Sequence, residues 1–208
     1  MNKKYLITSG CSFTEGQSWP THLAKLMDRE LVNKAEGGRG NYYISNQIYS
    51  TFADTKYNSA NSKVVVMWSG LDRYDFYRKG EWLRPNARFY VKHHAIENSY
   101  LQSLQYIIGI QEFLNNRDIP YLFLTYMDIF DLDELWLNLY ANKQLRKLVD
   151  WDKFHFHKGT CGMYEWVYDN FSMHAKDKPY YLGFKNDGHP IEESHKKYAK
   201  YLHNLSLI

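Results

Sequence analysis

Cysteine is scarce in this chain. Cys11 and Cys161 are its only two among 208 residues, too few for the disulfide framework that staples small secreted domains, and they fit a reducing compartment. No apolar run approaches the roughly 20 residues that a membrane-spanning helix needs, and the stretch after Met1-Asn2-Lys3-Lys4 is too short for a signal peptide. Both features predict a cytoplasmic protein without a membrane partner. Charge of one sign is also missing: 26 basic against 23 acidic residues leave a formal charge of +3. With no basic block beyond the Lys196-Lys197 pair, nucleic acid is not an expected partner. Repeats, low-complexity tracts and linker-like stretches are absent as well, so residues 1–208 read as a single domain, long enough to bury a substantial core.

Aromatic residues, by contrast, are abundant. They make up 17% of the chain, with 19 tyrosines, whose first explanation is amphipathic packing at the edge of the core and whose alternative is a surface for stacking sugars.

Apolar patterning outlines an alternation of strands and helices. Residues 4–9, Glu30–Asn33, Lys63–Trp68 and Ile119–Tyr126 read as strands, the third and fourth as continuous apolar runs of the kind buried on both faces of a parallel sheet. Helices are predicted from Trp19-Pro20 behind a Ser18 cap, with Leu23, Ala24, Leu26 and Met27 facing inward, then from Tyr42 to Phe52 and from Glu97 to Asn116. A last helix follows Pro190, with Glu192 and Glu193 in its first turn and Tyr198, Ala199, Leu202 and Leu205 buried. Residues 127–182 are aromatic-rich and only partly helical in pattern. The alternation predicts one three-layer α/β/α domain on a mostly parallel, flavodoxin-like sheet, where ligands sit beyond the carboxyl ends of the strands.

Two motifs fall at such positions. Gly10-Cys11-Ser12-Phe13-Thr14-Glu15-Gly16 places a serine on a glycine-flanked turn after the first strand, and Asp187-Gly188-His189-Pro190 supplies an acid and an imidazole near the other end. A serine hydroxyl becomes a nucleophile when a base takes its proton, so the pair points to acyl transfer with Ser12 attacking, His189 as the base and Asp187 orienting the ring. Proline after His189 favours an extended backbone that projects the ring from a loop.

These blocks resemble the SGNH (GDSL-like) hydrolases, in order and over most of the chain. The family's Gly-Asp-Ser-x-Thr-x-Gly block is similar to residues 10–16, its loop glycine to Gly38, its Gly-x-Asn-Asp block to Gly70-Leu71-Asp72-Arg73, and its Asp-x-x-His block to the segment ending at His189. The resemblance implies an ester hydrolase that needs no metal or organic cofactor, with the amides of Ser12 and Gly38 stabilising the oxyanion, aided by the positive end of the following helix. It implies an ester substrate, an O-acyl group on a carbohydrate among them, and an acyl-enzyme that a sugar hydroxyl can accept from as readily as water. The opening and closing motifs are also similar to uncharacterised SGNH-like proteins of bacteriophages, which implies association with a virion or another copy, and a non-catalytic glycan-binding or structural module as the alternative function.

Three departures from the family pattern shape the expectations. Cys11 stands where the family has aspartate, and is read as a small buried apolar residue. Asp72 stands where the family has its oxyanion asparagine. A carboxylate about 4 Å from the oxyanion would cost about 4 kcal/mol at an effective dielectric of 20, so Asp72 is expected to turn away, with Ser69, Arg73 or Asn41 as substitute donors. Asp187 lies two residues before His189 rather than three, where Asn186 stands. His155 and His157, with Cys161 close by, have the residue types of metal ligands, but no fourth ligand is evident, which favours a plain strand or loop reading; His93, His94 and His195 take the same plain reading. Arg39, Arg73 and Arg88 are candidates for holding an anionic substrate, set against the plainer reading of each as a surface or structural cation.

Overall fold

A computed structural model describes residues 3–83, 96–130, 140–171, 185 and 187–205 of the chain. Four parallel strands form the central sheet: β1 (Tyr5–Ser9), β2 (Glu30–Asn33), β3 (Ser62–Trp68) and β6 (Tyr121–Thr125), in the order β2-β1-β3-β6. The 2-1-3 start is that of flavodoxin-like sheets, with the direction of winding reversing at β1 and β3. Beyond β6 a fifth strand is reduced to one parallel bridge, Phe123 to Phe154, reinforced by the His155 N–H donating to the Phe123 carbonyl at 2.9 Å. Rings fill the rest of that border: Phe154 stacks on Phe156 at 5.3 Å and meets Phe123, Phe130 and Trp151 at 5.2–5.7 Å.

Alternation along the strands explains the three layers. Tyr5, Ile7, Val64, Val66, Trp68, Tyr121 and Phe123 enter a core with Tyr43, Ile44 and Ile48 of α2 (Asn41–Thr51) and Leu104, Ile107 and Ile110 of α3 (Ile96–Asn115). Leu6, Val65, Met67, Leu122 and Leu124 enter the opposite core with α1 (Trp19–Leu26), α5 (Met163–Phe171) and α6 (Glu192–Asn204). Successive side chains point to opposite faces, and a strand covered on both must be apolar throughout. One short α-helix, α4 (Tyr140–Arg146), and a single 3-10 turn, Trp151–Lys153, complete the described helices.

Several expectations need correction. Leu26 is 45% exposed rather than inward-facing, because only Trp19, Pro20, Leu23 and Ala24 fall on the buried face of α1. A hairpin of β4 (Phe76–Arg78) and β5 (Glu81–Leu83) follows β3; its three-residue strands carry too little pattern to be read in sequence. Trp82 of β5 meets the rings of Tyr42 and Tyr43 at 5.0 and 5.2 Å, so part of the tyrosine excess covers α2.

Asn41 opens α2 and locks it to the end of β3. Its carbonyl accepts the Ser69 N–H at 2.9 Å, and its amide donates to the Ser69 carbonyl and the Ser103 hydroxyl at 3.2 and 3.1 Å. The residue is 1% exposed. Asn41→Ala would strand a buried N–H and a buried carbonyl, at about 1–3 kcal/mol for each orphaned group. Denaturant melts should show a lower midpoint with an unchanged m-value.

Candidate active site

The nucleophile loop is built by close packing. At Gly10 a Cβ would lie 2.4 Å from Thr14 Oγ1 and 3.1 Å from the Met67 carbonyl, so glycine is required where Thr14, itself fully buried, folds back under the turn. The Thr14 and Glu15 N–H groups both donate to the Cys11 carbonyl, at 2.8 and 3.1 Å, leaving Ser12 half-exposed at the crest. Cys11 is fully buried among apolar side chains, Met67 and Trp19 included. The following helix starts at Trp19, where the sequence predicts it, seven residues beyond Ser12, so this local turn, not a helix end, carries the serine.

His189 reaches Ser12 from the far end of the chain. Its Nε2 lies 2.8 Å from Ser12 Oγ across 177 positions of sequence. Asp187 accepts the His189 backbone N–H on Oδ1 at 3.1 Å, and His189 Nδ1 lies 3.2 Å from the same oxygen, within ion-pair range but off the line a hydrogen bond needs. That backbone N–H, ahead of the ring, holds the Asp187 carboxyl below the usual carboxylate range. With the ring proton on Nδ1, facing this charge, Nε2 is free to accept from Ser12. Phe13 packs against the imidazole at 5.4 Å and against Tyr126 at the same separation, fixing the ring from the side.

The loop after β2 comes up beside the serine. A Cβ on Gly37 would stand 3.5 Å from Ser12 Cβ and 2.6 Å from Glu15 Oε2, so the loop presses close to the serine at Gly37, next to the expected Gly38, whose φ is +71°. Among the described residues no internal acceptor takes the N–H groups of Ser12, Gly37 or Gly38. Asn33, which the sequence reading missed, ties this loop to the first: its Nδ2 donates to the Thr14 carbonyl at 2.7 Å while its Oδ1 accepts from Thr8 and Ala35. Asp75, also missed, is a buried carboxylate whose Oδ2 accepts the N–H groups of Gly40 and Tyr43 at 2.8 and 3.1 Å, capping α2; burial raises its pKa. Neither residue belongs to a recognisable motif, since each acts through backbone groups distant in sequence.

The remaining candidates fall elsewhere. Asn41 is committed to Ser69 and Ser103, and so is not an oxyanion donor in this structure. Asp72 is exposed and folded back over Gly70, its Oδ1 2.4 Å from where a Cβ would stand. Arg73 lies over the Tyr126 ring at 5.3 Å and donates to the Arg39 carbonyl at 3.5 Å. Arg39 pairs with Glu36 at 2.5 Å and lies over Tyr43. His155 bonds Tyr201 and His157 pairs with Asp169, and among the described residues no group of three or more His, Cys, Asp or Glu side chains is set to hold a metal. Arg88, His93, His94 and Asn186 lie outside the described residues.

His195, on the first turn of α6, lines the same cavity as Ser12 and His189. Burial first, then the nearby Lys185, His22 and His189, push its pKa down to about 4. Between that value and the ordinary 6.5 the unfolded chain binds the proton and the folded chain does not, so stability falls as pH drops through this window. The loss is about 3 kcal/mol when complete. Denaturation of wild type and His195→Gln at pH 7 and pH 4 should show a smaller acid penalty in the variant.

The three-layer fold on a parallel sheet is one the chain shares with solved structures of lipolytic G-D-S-L proteins and esterases. The chain is similar over 97% of its length to a member of the lipolytic protein G-D-S-L family from Veillonella parvula DSM 2008, with 97% of that chain covered, 14% identity and a TM-score of 0.52. It is likewise similar to the psychrotrophic esterase EstA from Pseudoalteromonas sp., at 9% identity, a TM-score of 0.51, and 97% and 96% of the two chains. An acetyl xylan esterase, Est2A, from Butyrivibrio proteoclasticus is matched over all of this chain and 65% of its own, at 15% identity and a TM-score of 0.51. No protein-family model matches the chain, and no curated protein does. Likeness at these identities is one of fold. Among the described residues no helix is long and apolar enough to cross a membrane.

Proposed function

We propose that the protein is a serine ester hydrolase of SGNH type, cleaving a small ester or an O-acyl group on a carbohydrate. The observation that carries the reading is the 2.8 Å contact between Ser12 Oγ and His189 Nε2. In the first half-reaction His189 takes the Ser12 proton as Oγ attacks the acyl carbon. The tetrahedral oxyanion is met by the amides of Ser12 and of the Gly37-Gly38 turn. Collapse expels the alcohol, which receives the proton from His189, and leaves an acyl-serine. Water, activated by the same imidazole, then releases the acid and restores Ser12. Asp187 stabilises the imidazolium between these steps, and a small turn of its carboxylate would bring it into line with Nδ1. Because a sugar hydroxyl can replace water in the second half-reaction, O-acyl transfer is open to the same site. An acetyl xylan esterase with this fold lends support to the carbohydrate side of the reading.

A second reading is a non-catalytic binding or structural module, of a virion or for glycans. Asp72 in place of a neutral donor and the misaligned Asp187–His189 pair favour it. A fluorophosphonate probe separates the two. Stoichiometric labelling of Ser12, abolished in Ser12→Ala and slowed in His189→Ala, is expected of the hydrolase. Folded protein that takes no label would leave only the module.

A further inference from the structure

In the sheet β1 lies between β2 and β3, so the Ser12 turn is flanked by the chain that leaves each neighbour. From β2 comes the loop that presses Gly37 against the serine. From β3 come residues 69–75, and the two flanking segments pack on each other. A Cβ on Gly40 would stand 2.8 Å from the Arg73 carbonyl and 2.9 Å from Asp75 Oδ2. The Arg73 N–H donates to the Gly70 carbonyl at 3.1 Å, which closes the turn after β3. The main chain of Arg73 is thereby fixed against the end of the loop that carries the Gly37 and Gly38 amides.

Few side chains on this flank can donate to a substrate. Ser69 is fully buried, and Asn41 spends its amide on Ser69 and Ser103. Asp72 is an exposed acid turned back over Gly70. Arg73 differs from all three. It is half-buried, and among the described residues no carboxylate lies within ion-pair range of it. Its Nη1 donates to the Arg39 carbonyl at 3.5 Å, long for an N–H···O bond. The guanidinium, with five N–H donors, otherwise lies over the Tyr126 ring at 5.3 Å. That ring leads back to the site, since it packs on Phe13, the residue after Ser12, and Phe13 packs on His189. The cation therefore stands between the residue that follows Gly38 and a ring that touches the nucleophile turn.

We infer that Arg73 is a charged oxyanion donor, whose guanidinium turns from Tyr126 onto the acyl oxygen as negative charge develops there. The inference rests on the esterase reading. As the bond from Ser12 Oγ to the acyl carbon forms, the carbonyl π pair moves onto oxygen and the serine proton passes to His189 Nε2. Arg73 donates hydrogen bonds to that oxygen, keeps its own protons, and lets go when the C=O bond re-forms. Hydrogen bonds from an ionised donor are shorter and stronger than those from neutral amides. Because the charge exists in the tetrahedral state and not in the bound ester, the contact speeds the chemical step rather than tightening substrate binding. Arg73 thus supplies a donor on the β3 flank although its neighbour Asp72 is an acid.

Steady-state hydrolysis of p-nitrophenyl acetate, a neutral ester, by wild type, Arg73→Ala and Arg73→Lys tests this, with thermal midpoints as the control on folding. Arg73→Ala is expected to lower kcat by about 10²–10³, the usual effect of losing one oxyanion donor, with KM changed by less than about threefold. Arg73→Lys keeps the charge and should recover about tenfold of that loss. Added methylguanidinium should raise the rate of Arg73→Ala by about tenfold and leave Ser12→Ala inert, a rescue that a merely structural arginine does not show. An Arg73→Ala protein with wild-type kcat, or one whose defect lies in KM, would overturn the proposal. So would a fallen kcat that comes with a fallen midpoint and that neither Lys nor methylguanidinium restores. Fluorophosphonate labelling of wild type keeps the two failures apart. A labelled, active protein indifferent to Arg73→Ala loses the charged donor alone, whereas one that neither labels nor hydrolyses loses the esterase reading and the donor with it.

Discussion

Ser12→Ala should lower kcat for a short ester such as p-nitrophenyl acetate by about 10⁴–10⁶, with the thermal midpoint changed little. Residues of a nucleophile–base pair act as a unit, so removing either one forfeits most of what both supply. His189→Ala is expected to fall almost as far, and the double variant hardly further. That non-additivity is the diagnostic result, because two independent contributions would multiply. Asp187→Asn should cost much less than either. The carboxylate's best-aligned bond is to the backbone N–H of His189, and the ring nitrogen it faces is out of line. Hydrolysis that survives Ser12→Ala at near wild-type rate would rule out the acyl-serine route and send attention elsewhere on the surface.

Gly10→Ala is the second large effect expected, and it acts through packing. The new methyl would meet Thr14 Oγ1 at 2.4 Å and Thr14 Cβ at 2.8 Å, with the Met67 carbonyl at 3.1 Å on the other side. Thr14 is fully buried and cannot swing out. Overpacking of this kind costs about 1–3 kcal/mol, and for a chain of this size each kcal/mol lowers Tm by about 2–4 °C. Ser12 stands two residues further on, and a shift near 1 Å in a reacting group costs about 10² in rate. The paired change Gly10→Ala with Thr14→Gly removes both Thr14 contacts and should recover part of the lost stability. A single variant that melts like wild type would show that the loop has slack the packing argument denies.

How far the sequence could be read follows from the range of each interaction. β3 and β6 are legible because both of their faces are covered, and α3 and α6 because their stripes are long. Leu26 was misplaced because α1 is eight residues long, too short for spacing alone to tell its inner face from its flank. The hairpin β4–β5 and the one-residue remnant of a fifth strand carry almost no period. At the site, Ser12 and His189 could be named because their chemistry needs those residue types on loops after strands. The partners that hold the loops could not. Asn33, Asn41 and Asp75 each bond backbone groups 19–35 positions away, Asn41 also the Ser103 hydroxyl 62 positions away, and nothing in local composition marks such bonds. Gly38 is named on motif resemblance; that the loop also comes against Ser12 at Gly37 follows only from the approach of the two loops. The serine cap at α1 was legible as an identity but not as a bond, since its hydroxyl does not cap.

The two borders of the sheet are closed by different means. At β6 the backbone ladder stops after a single bridge and a block of stacked phenylalanines and tryptophan takes over. At β2 the outermost strand is four residues long and carries the Lys3–Glu30 ion pair, 2.8 Å across and largely in water. Among the described residues neither border offers a long, flat, uncharged template on which an incoming chain could continue the hydrogen-bonding pattern. Crowded copies of this protein are thus shielded from strand-on-strand growth, by bulk on one flank and by hydrated charge on the other.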